Sequence, residues 1–336
     1  MTIKDLSAQT GYSLGTISRV LNNHPNVSEK ARAVILKAVS ESGFQLNANA
    51  KQLKQQHGNC ILVVVKGTNN ELFSQLVEAI QAHFASSKYP VVVDYQDEDA
   101  NEAERGAQLC VEKKPLGIFF LGGNQENFRE SFGRIDVPCV LVTTSAANWD
   151  FPNLSSVSIA DMDACTDAMD ALVELGHRQI AIVGGYLEHS DTSRLRFEGC
   201  LRSLRRHGIS FDEKTDYVDG KYSYQDGYHG VQRLLESGKK YSAVFAVADV
   251  VAIGVIRALW DNGLRVPEDV SVIGFDGLRL GDYLVPRLSS IHQSVPLLAQ
   301  RSVEILTDCI ENGAAARHET VPYAIKLRES TRSKQQ

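Results

Sequence analysis

Three short stretches near the N-terminus carry apolar residues at helical spacing. Thr2 and Asp5 form a capping-box pattern that predicts a first helix, which Gly11 ends. Ser13 and Ser28 predict the N-caps of a second and a third helix. The third helix has an apolar stripe formed by Ala31, Val34, Ile35, Ala38 and Val39. Three helices with a glycine turn between the first two are typical of a helix-turn-helix unit.

After Cys60 the pattern changes to short apolar runs that alternate with helical stretches. The predicted strands are 61–65, 90–95, 116–121, 139–142, 180–185, 243–247 and 270–275. The predicted helices include 72–85, 161–175, 194–207, 225–237 and 251–262. This alternation indicates an α/β fold with parallel, doubly wound sheets, and its length favours two lobes.

Ligands of such sheets bind at the carboxyl ends of the strands. We therefore expect binding residues directly after the predicted strands. These positions are 66–70, 122–124, 184–192, 248–249 and Asp276.

Charge is unevenly distributed along the 336 residues. Residues 1–56 contain seven basic and three acidic side chains, a net charge of +4, whereas the whole chain has −6 and the remainder therefore −10. A basic head on an acidic body suggests that the head meets an anion, commonly nucleic acid, although a solvated helix face would have the same charge.

Length and composition restrict the class of protein. At 43% apolar residues the chain can bury sizeable cores. It has neither an apolar run of 18 residues nor a charged-then-apolar leader, so we expect a cytoplasmic protein without a membrane span. The six cysteines form no CxxC pair and predict buried thiols.

The second helix is the one that would enter the major groove of DNA. Its arginine, Arg19, could bond O6 and N7 of a guanine, and the hydroxyls of Thr16 and Ser18 suit phosphate oxygens. From the pattern alone, a three-helix interaction module without DNA remains the alternative.

Several segments together resemble the LacI/GalR family of bacterial transcriptional repressors. They are the head from TIKDLSAQTGYSLGTISRVLNN to ESGF, then ELGHRQIAIVGG, DTSRLRFEGCLRSL, AVADVVAIGVIRALWDNGLRVPEDVSVIGFDG and PRLSSIHQSV. They cover nearly the whole chain in the expected order.

The resemblance implies three regions. A helix-turn-helix DNA-binding domain would cover 1–45, a hinge helix and linker 46–58, and a periplasmic-binding-protein-like effector-binding and dimerisation domain 59–330. The N-lobe of this last domain would comprise about 59–157 and 290–320, and the C-lobe about 158–289 and 321–330. The chain would cross between the lobes near 156–161, 286–295 and 317–324, and two protomers would pair on a pseudo-palindromic operator.

The resemblance also assigns DNA contacts residue by residue. Arg19 matches the base-contacting arginine, and Leu14 and Gly15 match positions that discriminate operators. Thr16, Ser18 and Ser28 match phosphate-contacting positions, and Asn22 and Asn26 match polar positions near the DNA backbone. The hinge would contribute Asn47, Ala50 and Leu53, with Leu53 as the leucine that enters the minor groove. Leu46 and Asn49 depart from the family's hinge pattern, and Gly15 offers no side chain for readout.

For the effector cleft, Arg196 and Asp276 match the family's ligand-binding arginine and aspartate, a pair suited to vicinal hydroxyls. The other expected effector-binding residues are Lys66, Asn70, Phe73, Thr192, Tyr222 and Asp249. An ion pair between the lobes that has no role in ligand binding is the alternative for Arg196 and Asp276. Lys66 would favour an anionic ligand if it faced the cleft, and Ala248 and Thr143 also depart from common family residues.

The resulting prediction is a repressor whose operator affinity depends on a small effector, a sugar or sugar derivative. A solute-binding protein of the periplasmic type is the alternative, but it leaves the basic head unexplained. An enzyme is not expected, because HExxH, P-loop and GxSxG signatures are missing from the sequence. No cofactor or metal site is predicted.

Overall fold

The structure is a computed structural model that describes residues 3–21, 27–42, 58–67, 70–188 and 190–334. The chain divides into two compact units, 1–57 and 58–336. Each unit has its own hydrophobic core.

The first unit contains three helices, α1 (Ile3–Thr10), α2 (Leu14–Leu21) and α3 (Glu29–Ser42). Gly11 has a φ of 73°, which lets the chain turn between α1 and α2 without the penalty of a β-carbon. Ser13 Oγ accepts the Thr16 N–H at 3.2 Å, and Ser28 Oγ accepts the Ala31 N–H at 3.3 Å. Both predicted serine caps are therefore present.

The core of this unit joins all three helices through Leu6, Ile17, Val20, Ile35 and Ala38. The prediction for Val34 was wrong, because its side chain is 41% exposed. Helices α1 and α2 pack on the face of α3 that contains Ala31, Ile35 and Ala38, and Val34 lies outside this buried face.

The second unit contains two six-stranded sheets, whose strands are numbered in chain order. The first sheet consists of β1 (Ile61–Lys66), β2 (Val91–Gln96), β3 (Gly117–Leu121), β4 (Cys139–Val142), β5 (Leu154–Ser158) and β11 (His318–Thr320). Its order is β2-β1-β3-β4-β5-β11, and every pair is parallel.

The second sheet consists of β6 (Ile180–Val183), β7 (Tyr217–Val218), β8 (Ala243–Ala246), β9 (Ser271–Asp276), β10 (Ser289–Gln293) and β12 (Tyr323–Lys326). Its order is β7-β6-β8-β9-β10-β12, and only the β10–β12 pair is antiparallel among its strands. The predicted α/β fold with two doubly wound lobes is confirmed.

Helices connect and cover these strands. They are α4 (Glu71–Phe84), α5 (Glu102–Lys113), α6 (Gln125–Ser131), α7 (Asp161–Glu174), α8 (Asp191–Arg206), α9 (Glu213–Asp216), α10 (Tyr224–Glu236), α11 (Asp249–Asp261) and α12 (Val295–Asn312). Two 3₁₀ turns span Phe132–Arg134 and Arg279–Asp282. Among the helices described, none combines the length and the apolar character needed to cross a bilayer.

The chain passes between the sheets after β5, after β10 and between β11 and β12. These passages fall within the three predicted crossing segments. The boundary predicted at residue 290 needs correction, because β10 pairs with β9 and β12 and so residues 290–293 belong to the second lobe.

Glycines allow α10 and α11 to pack closely. A β-carbon on Gly254 would overlap the Tyr224 carbonyl oxygen, and one on Gly227 would overlap the Val251 carbonyl oxygen. Because backbone atoms form both obstacles, a side-chain rotation cannot relieve the overlap. The close approach of these two helices therefore depends on glycine at both positions.

We expect Gly254→Ala to lower the free energy of unfolding by about 1–3 kcal/mol, because the added methyl forces the two helices apart. Gly133→Ala is the matched control, since a β-carbon there meets no atom within 4 Å. Urea unfolding followed by tryptophan fluorescence measures both variants. Equal stability of the two variants would contradict this account of the packing.

Candidate functional site

The first unit presents Arg19 on its surface. Arg19 lies in the last turn of α2 and its side chain is exposed, whereas Ile17 and Val20 on either side are buried. Thr16 is half-buried and its hydroxyl is 3.0 Å from Ser13 Oγ. Ser28 is exposed, although its hydroxyl oxygen caps α3. Helix α2 thus has one buried face and one face that can meet a partner.

The other predicted DNA contacts cannot be placed in the same way. The backbone of Leu14, Gly15 and Ser18 is part of α2, and their side chains lie outside the described part of the chain. Asn22, Asn26, Asn47, Ala50 and Leu53 lie wholly outside the described residues.

In the second unit, a cavity of about 270 Å³ lies between the two lobes at the carboxyl ends of their strands. Its wall is formed by Lys66, Gly67, Asn70, Leu72, Phe73, Glu98, Asp99, Gly122, Gly123, Asn124, Thr143 and Thr144 of the first lobe, and by Tyr186, Ser190, Thr192, Arg196, Tyr222, Ser223 and Asp276 of the second. This is the position at which doubly wound sheets bind ligands. Seven of the eight predicted effector-binding residues lie in this wall.

Arg196 is the central cation of the second-lobe wall. Its Nε donates to Asp161 Oδ1 at 2.8 Å, and its Nη1 donates to the Val247 carbonyl oxygen at 2.7 Å and lies 3.8 Å from Asp276 Oδ1. The guanidinium lies 3.5 Å from the centroid of the Phe275 ring. Its orientation is therefore fixed before any ligand arrives, and Nη2 has no hydrogen-bond partner within the described residues.

Asp276 reaches the cavity from an unusual backbone conformation. Its φ is 110°, a region that side-chain-bearing residues rarely adopt and that is often associated with functional sites. Burial raises the pKa of its carboxyl to about 6, although Arg196 and the amide of Gln293 both favour the charged form and Asp161 opposes it. Gln293 Nε2 donates to Asp276 Oδ1 at 2.9 Å.

The structure corrects the prediction for Asp249, which lies behind the cavity wall. Its carboxylate accepts the Leu278 N–H at 2.7 Å and the Ser290 hydroxyl at 2.6 Å, and the side chain is 1% exposed. Burial, followed by the charge of Asp276, raises its pKa well above the usual range. Asp249 therefore holds the turn after Asp276 and does not face a ligand.

Lys66 lies in the wall, but its ammonium is already bound. Nζ is 2.5 Å from Glu102 Oε2 and donates to the Ala100 carbonyl oxygen at 2.8 Å. Glu102 is completely buried and also accepts the Asn124 N–H at 2.6 Å. The expectation that Lys66 favours an anionic ligand is therefore wrong, because its charge is neutralised within the first lobe.

The remaining predicted residues provide polar and aromatic surface. Asn70 Oδ1 caps α4 by accepting the Phe73 N–H at 3.2 Å. Tyr222 shares a hydrogen bond of 2.8 Å with Ser193 Oγ. Thr192 Oγ1 is 3.3 Å from Thr144 Oγ1, so this pair joins the two lobes across the cavity.

Two further contacts join the lobes near the cavity. The Gln125 N–H donates to Asp191 Oδ2 at 3.2 Å, and Lys221 Nζ is 2.6 Å from Asp99 Oδ2. Burial raises the pKa of Glu98, and the nearby Lys221 and the backbone N–H of Tyr222, both in the opposite lobe, oppose this shift. The cavity is thus closed by hydrogen bonds that depend on how the lobes are placed.

Sequence reasoning missed several residues of the wall. Glu98 and Asp99 follow β2, and Thr144 follows β4 next to Thr143, which was named only as a departure from the family pattern. The rule that ligands meet strand ends found Tyr186, within 184–192, and would have found these residues too, had it been applied to every predicted strand. Thr143 has a φ of 76°, so it resembles Asp276 in reaching the cavity from a strained backbone. Among the described residues, no group of His, Cys, Asp and Glu is placed to hold a metal ion.

Because ionising the buried Asp276 destabilises the folded protein, we expect Asp276→Asn to raise the free energy of unfolding by an amount that depends on pH. In unfolded chains the carboxyl ionises near pH 3.8, but in the folded protein near pH 6, so stability falls as pH rises between these values. The asparagine cannot ionise and avoids this loss. We expect the variant to gain roughly 2–3 kcal/mol over the parent between pH 4 and pH 7, with no further gain above that. Urea unfolding at several pH values, followed through Trp149 and Trp260, measures the difference; a pH-independent difference would contradict it.

Comparisons with known proteins agree with this architecture. Residues 2–47 match the family model of bacterial regulatory proteins, lacI family, and residues 169–331 match a periplasmic binding protein-like domain. The chain is 32% identical over 335 residues to the HTH-type transcriptional regulator MalR of Clostridium butyricum, covering 98% of this chain and 99% of that protein. It is 29% identical to catabolite control protein A of Priestia megaterium, covering 99% of both chains.

A solved structure is similar over the same length. The crystal structure of the lac repressor dimer bound to operator and the anti-inducer ONPF has a TM-score of 0.77, 27% identity and 99% coverage of both chains. The chain has a helix-turn-helix head and two lobes built on largely parallel sheets, and it is similar to such regulators over its full length. The chain belongs to the lacI family of bacterial regulatory proteins.

Proposed function

We propose that this protein is a cytoplasmic transcriptional repressor that binds a pseudo-palindromic operator as a homodimer and responds to a small sugar-like effector held between its lobes. The observation that carries the proposal is the cavity whose wall comes from both lobes. A ligand there touches both lobes at once, so its binding free energy depends on their relative placement. The lobes can therefore convert ligand binding into a change of shape.

The chemistry of the wall supports a hydroxylated ligand. Arg196 presents Nη2 hydrogens that have no partner within the described residues, and the carboxylate of Asp276 lies beside the guanidinium, with Oδ1 at 3.8 Å from Nη1. A donor and an acceptor fixed side by side can bind neighbouring hydroxyl groups of one ligand. Tyr222 and Phe73 add aromatic surface against which the apolar face of a sugar ring can pack.

The head supports the DNA-binding half of the proposal. Arg19 is exposed on a helix that is held by a three-helix core, and the head sequence is basic. A planar guanidinium on such a helix can read a guanine in the major groove. DNA contacts by Leu14, Gly15, Thr16, Ser18, Asn22, Asn26, Ser28, Asn47, Ala50 and Leu53 are part of the same proposal.

Effector and operator binding would be coupled through the lobes. The lac repressor dimer was crystallised with operator and with an anti-inducer, so a protein of this fold binds both. Here the contacts Thr144–Thr192, Gln125–Asp191 and Asp99–Lys221 depend on closure. A coupling free energy of about 1–3 kcal/mol is typical of such systems and acts equally in both directions.

We expect Arg19→Ala to weaken binding to the selected operator by about 1–3 kcal/mol, because a bidentate base contact is lost. The measurement is fluorescence anisotropy with a duplex selected by the protein from a random pool, and with a scrambled duplex. Lys37→Ala is the control, since Lys37 is an exposed head cation near Glu41 on α3. Equal weakening on both duplexes would argue against direct readout by Arg19.

We expect Asp276→Asn to leave operator affinity unchanged and to abolish the effect of ligand on it. The asparagine removes the negative acceptor from the cavity, while the head does not include this residue. Operator titrations with and without glucose, galactose, ribose and glucosamine measure the response. Asp269→Asn, an exposed acid outside the cavity wall, is the control. A variant that still responds like the parent protein would remove Asp276 from the site.

A further inference from the structure

The charges of the cavity identify a narrower class of ligand. Each cation of the wall has a carboxylate of its own. Lys66 is bound to Glu102 at 2.5 Å, and Arg196 to Asp161 at 2.8 Å. Both partners are buried, so these pairs are shielded from solvent and persist at physiological salt. Neither cation adds net positive charge to the site.

Two carboxylates of the wall lack such a dedicated cation. Asp276 is 3.8 Å from Arg196, whose Nε is already bound to Asp161. Glu98 shares Lys221 with Asp99, which has the 2.6 Å contact to Nζ. Glu98 is half-buried, and burial raises the pKa of its carboxyl. The described residues of the wall thus carry an excess of negative charge, contributed by both lobes.

These two carboxylates have different surroundings. Asp276 has the donors of Arg196 beside it, an arrangement that suits hydroxyl groups, which both donate and accept. Glu98 lies in the part of the wall that also contains the aromatic side chains of Phe73, Tyr186 and Tyr222. A wall that combines a carboxylate with aromatic rings suits a protonated amine, which can pair with the carboxylate and make cation–π contacts with the rings.

Anionic ligands fit this wall poorly. A phosphate ester or a uronic acid would bring negative charge next to Glu98 and Asp276 without meeting a free cation among the described wall residues. The cavity is also small, at about 270 Å³, slightly below the range of pockets for drug-sized ligands. A single sugar ring fits this limit better than an oligosaccharide or a dinucleotide.

We propose that the effector is a small polyhydroxylated amine of the amino-sugar class, with its hydroxyls on Arg196 and Asp276 and its ammonium on Glu98. This inference rests on the proposed function, in which the cavity is the effector site. It adds a charge requirement and assigns that requirement to one side chain of the first lobe.

Isothermal titration calorimetry on the full chain at pH 7 tests the charge requirement. The probes are D-glucosamine with D-glucose, D-galactosamine with D-galactose and D-mannosamine with D-mannose, together with the three 6-phosphates. Within each pair the only difference is an ammonium in place of a hydroxyl. We expect at least one amine to bind about tenfold more tightly than its neutral partner, and the phosphates to bind more weakly than either.

Two isosteric variants test the assignment to Glu98. Glu98→Gln should lose the roughly tenfold preference for the amine and keep the affinity for the neutral sugar. Glu104→Gln removes the same charge from an exposed position on α5 outside the wall, and should keep the preference. Retained binding of the neutral sugar also shows that each variant is folded.

The outcomes separate this inference from the function on which it rests. A neutral sugar or a phosphate that binds more tightly than every amine, and alters operator binding, would overturn the amine requirement and leave the effector function standing. A full amine preference in Glu98→Gln would overturn the role of Glu98. Failure of every probe to bind or to alter operator affinity would count against both proposals.

Discussion

The second lobe is organised around one buried guanidinium. Arg196 is 4% exposed, so its charge would be costly without partners. Asp161 and the Val247 carbonyl oxygen accept hydrogen bonds from Nε and Nη1 of the guanidinium, and the Phe275 ring lies against the face of the guanidinium. These partners come from the start of α7, the end of β8 and β9, so one side chain fixes three strand-end segments relative to each other.

Other polar groups of the second lobe next to Arg196 are held in strained or incompletely hydrogen-bonded positions. Asp276 is held at positive φ by a turn that Asp249 secures from behind, and Gln293 restrains its carboxylate from β10. Gln293 Oε1 and His292 Nε2 are buried without a hydrogen-bond partner within the described residues. The second lobe therefore carries backbone strain and unsatisfied polar groups next to the cavity, while the sheets around them are packed and apolar. Strained backbone and unsatisfied polar groups, which lower the free energy of unfolding, commonly cluster at binding sites.

The first lobe contributes differently. Its cation, Lys66, is neutralised by a buried glutamate that also orders the turn before α6. The polar contacts Thr144–Thr192 and Asp99–Lys221, which join the first lobe to the second at the cavity, are made by short loops, and the second of them is exposed. Exposed polar contacts contribute little free energy, so the relative placement of the lobes is open to change by a ligand that contacts both. The fixed side chains of the second lobe would recognise the ligand, and the contacts between the lobes would change when it binds.

Sequence patterns predicted those elements whose cause is local. Serine caps, the glycine turn and apolar runs located the three head helices and seven strands, and strand ends located most of the cavity wall. Patterns failed for β5 (LSSVS) and β10 (SSIHQ), which are buried but rich in serine. The buried hydroxyl of Ser156 has a hydrogen bond with His318, which is 162 residues away along the chain, and that of Ser290 donates to Asp249, which is 41 residues away.

The same distinction explains the misjudged side chains of the site. Lys66 and Asp249 stand at strand ends, as binding residues do, but Glu102 and Ser290 engage them from other elements. The sequence by itself determined which elements form and which segments meet at the cavity, because periodicity, capping and strand order act over short distances. Only the tertiary structure decided which charges remain available to a ligand, because pairing a buried charge depends on groups that are distant along the chain and adjacent in space.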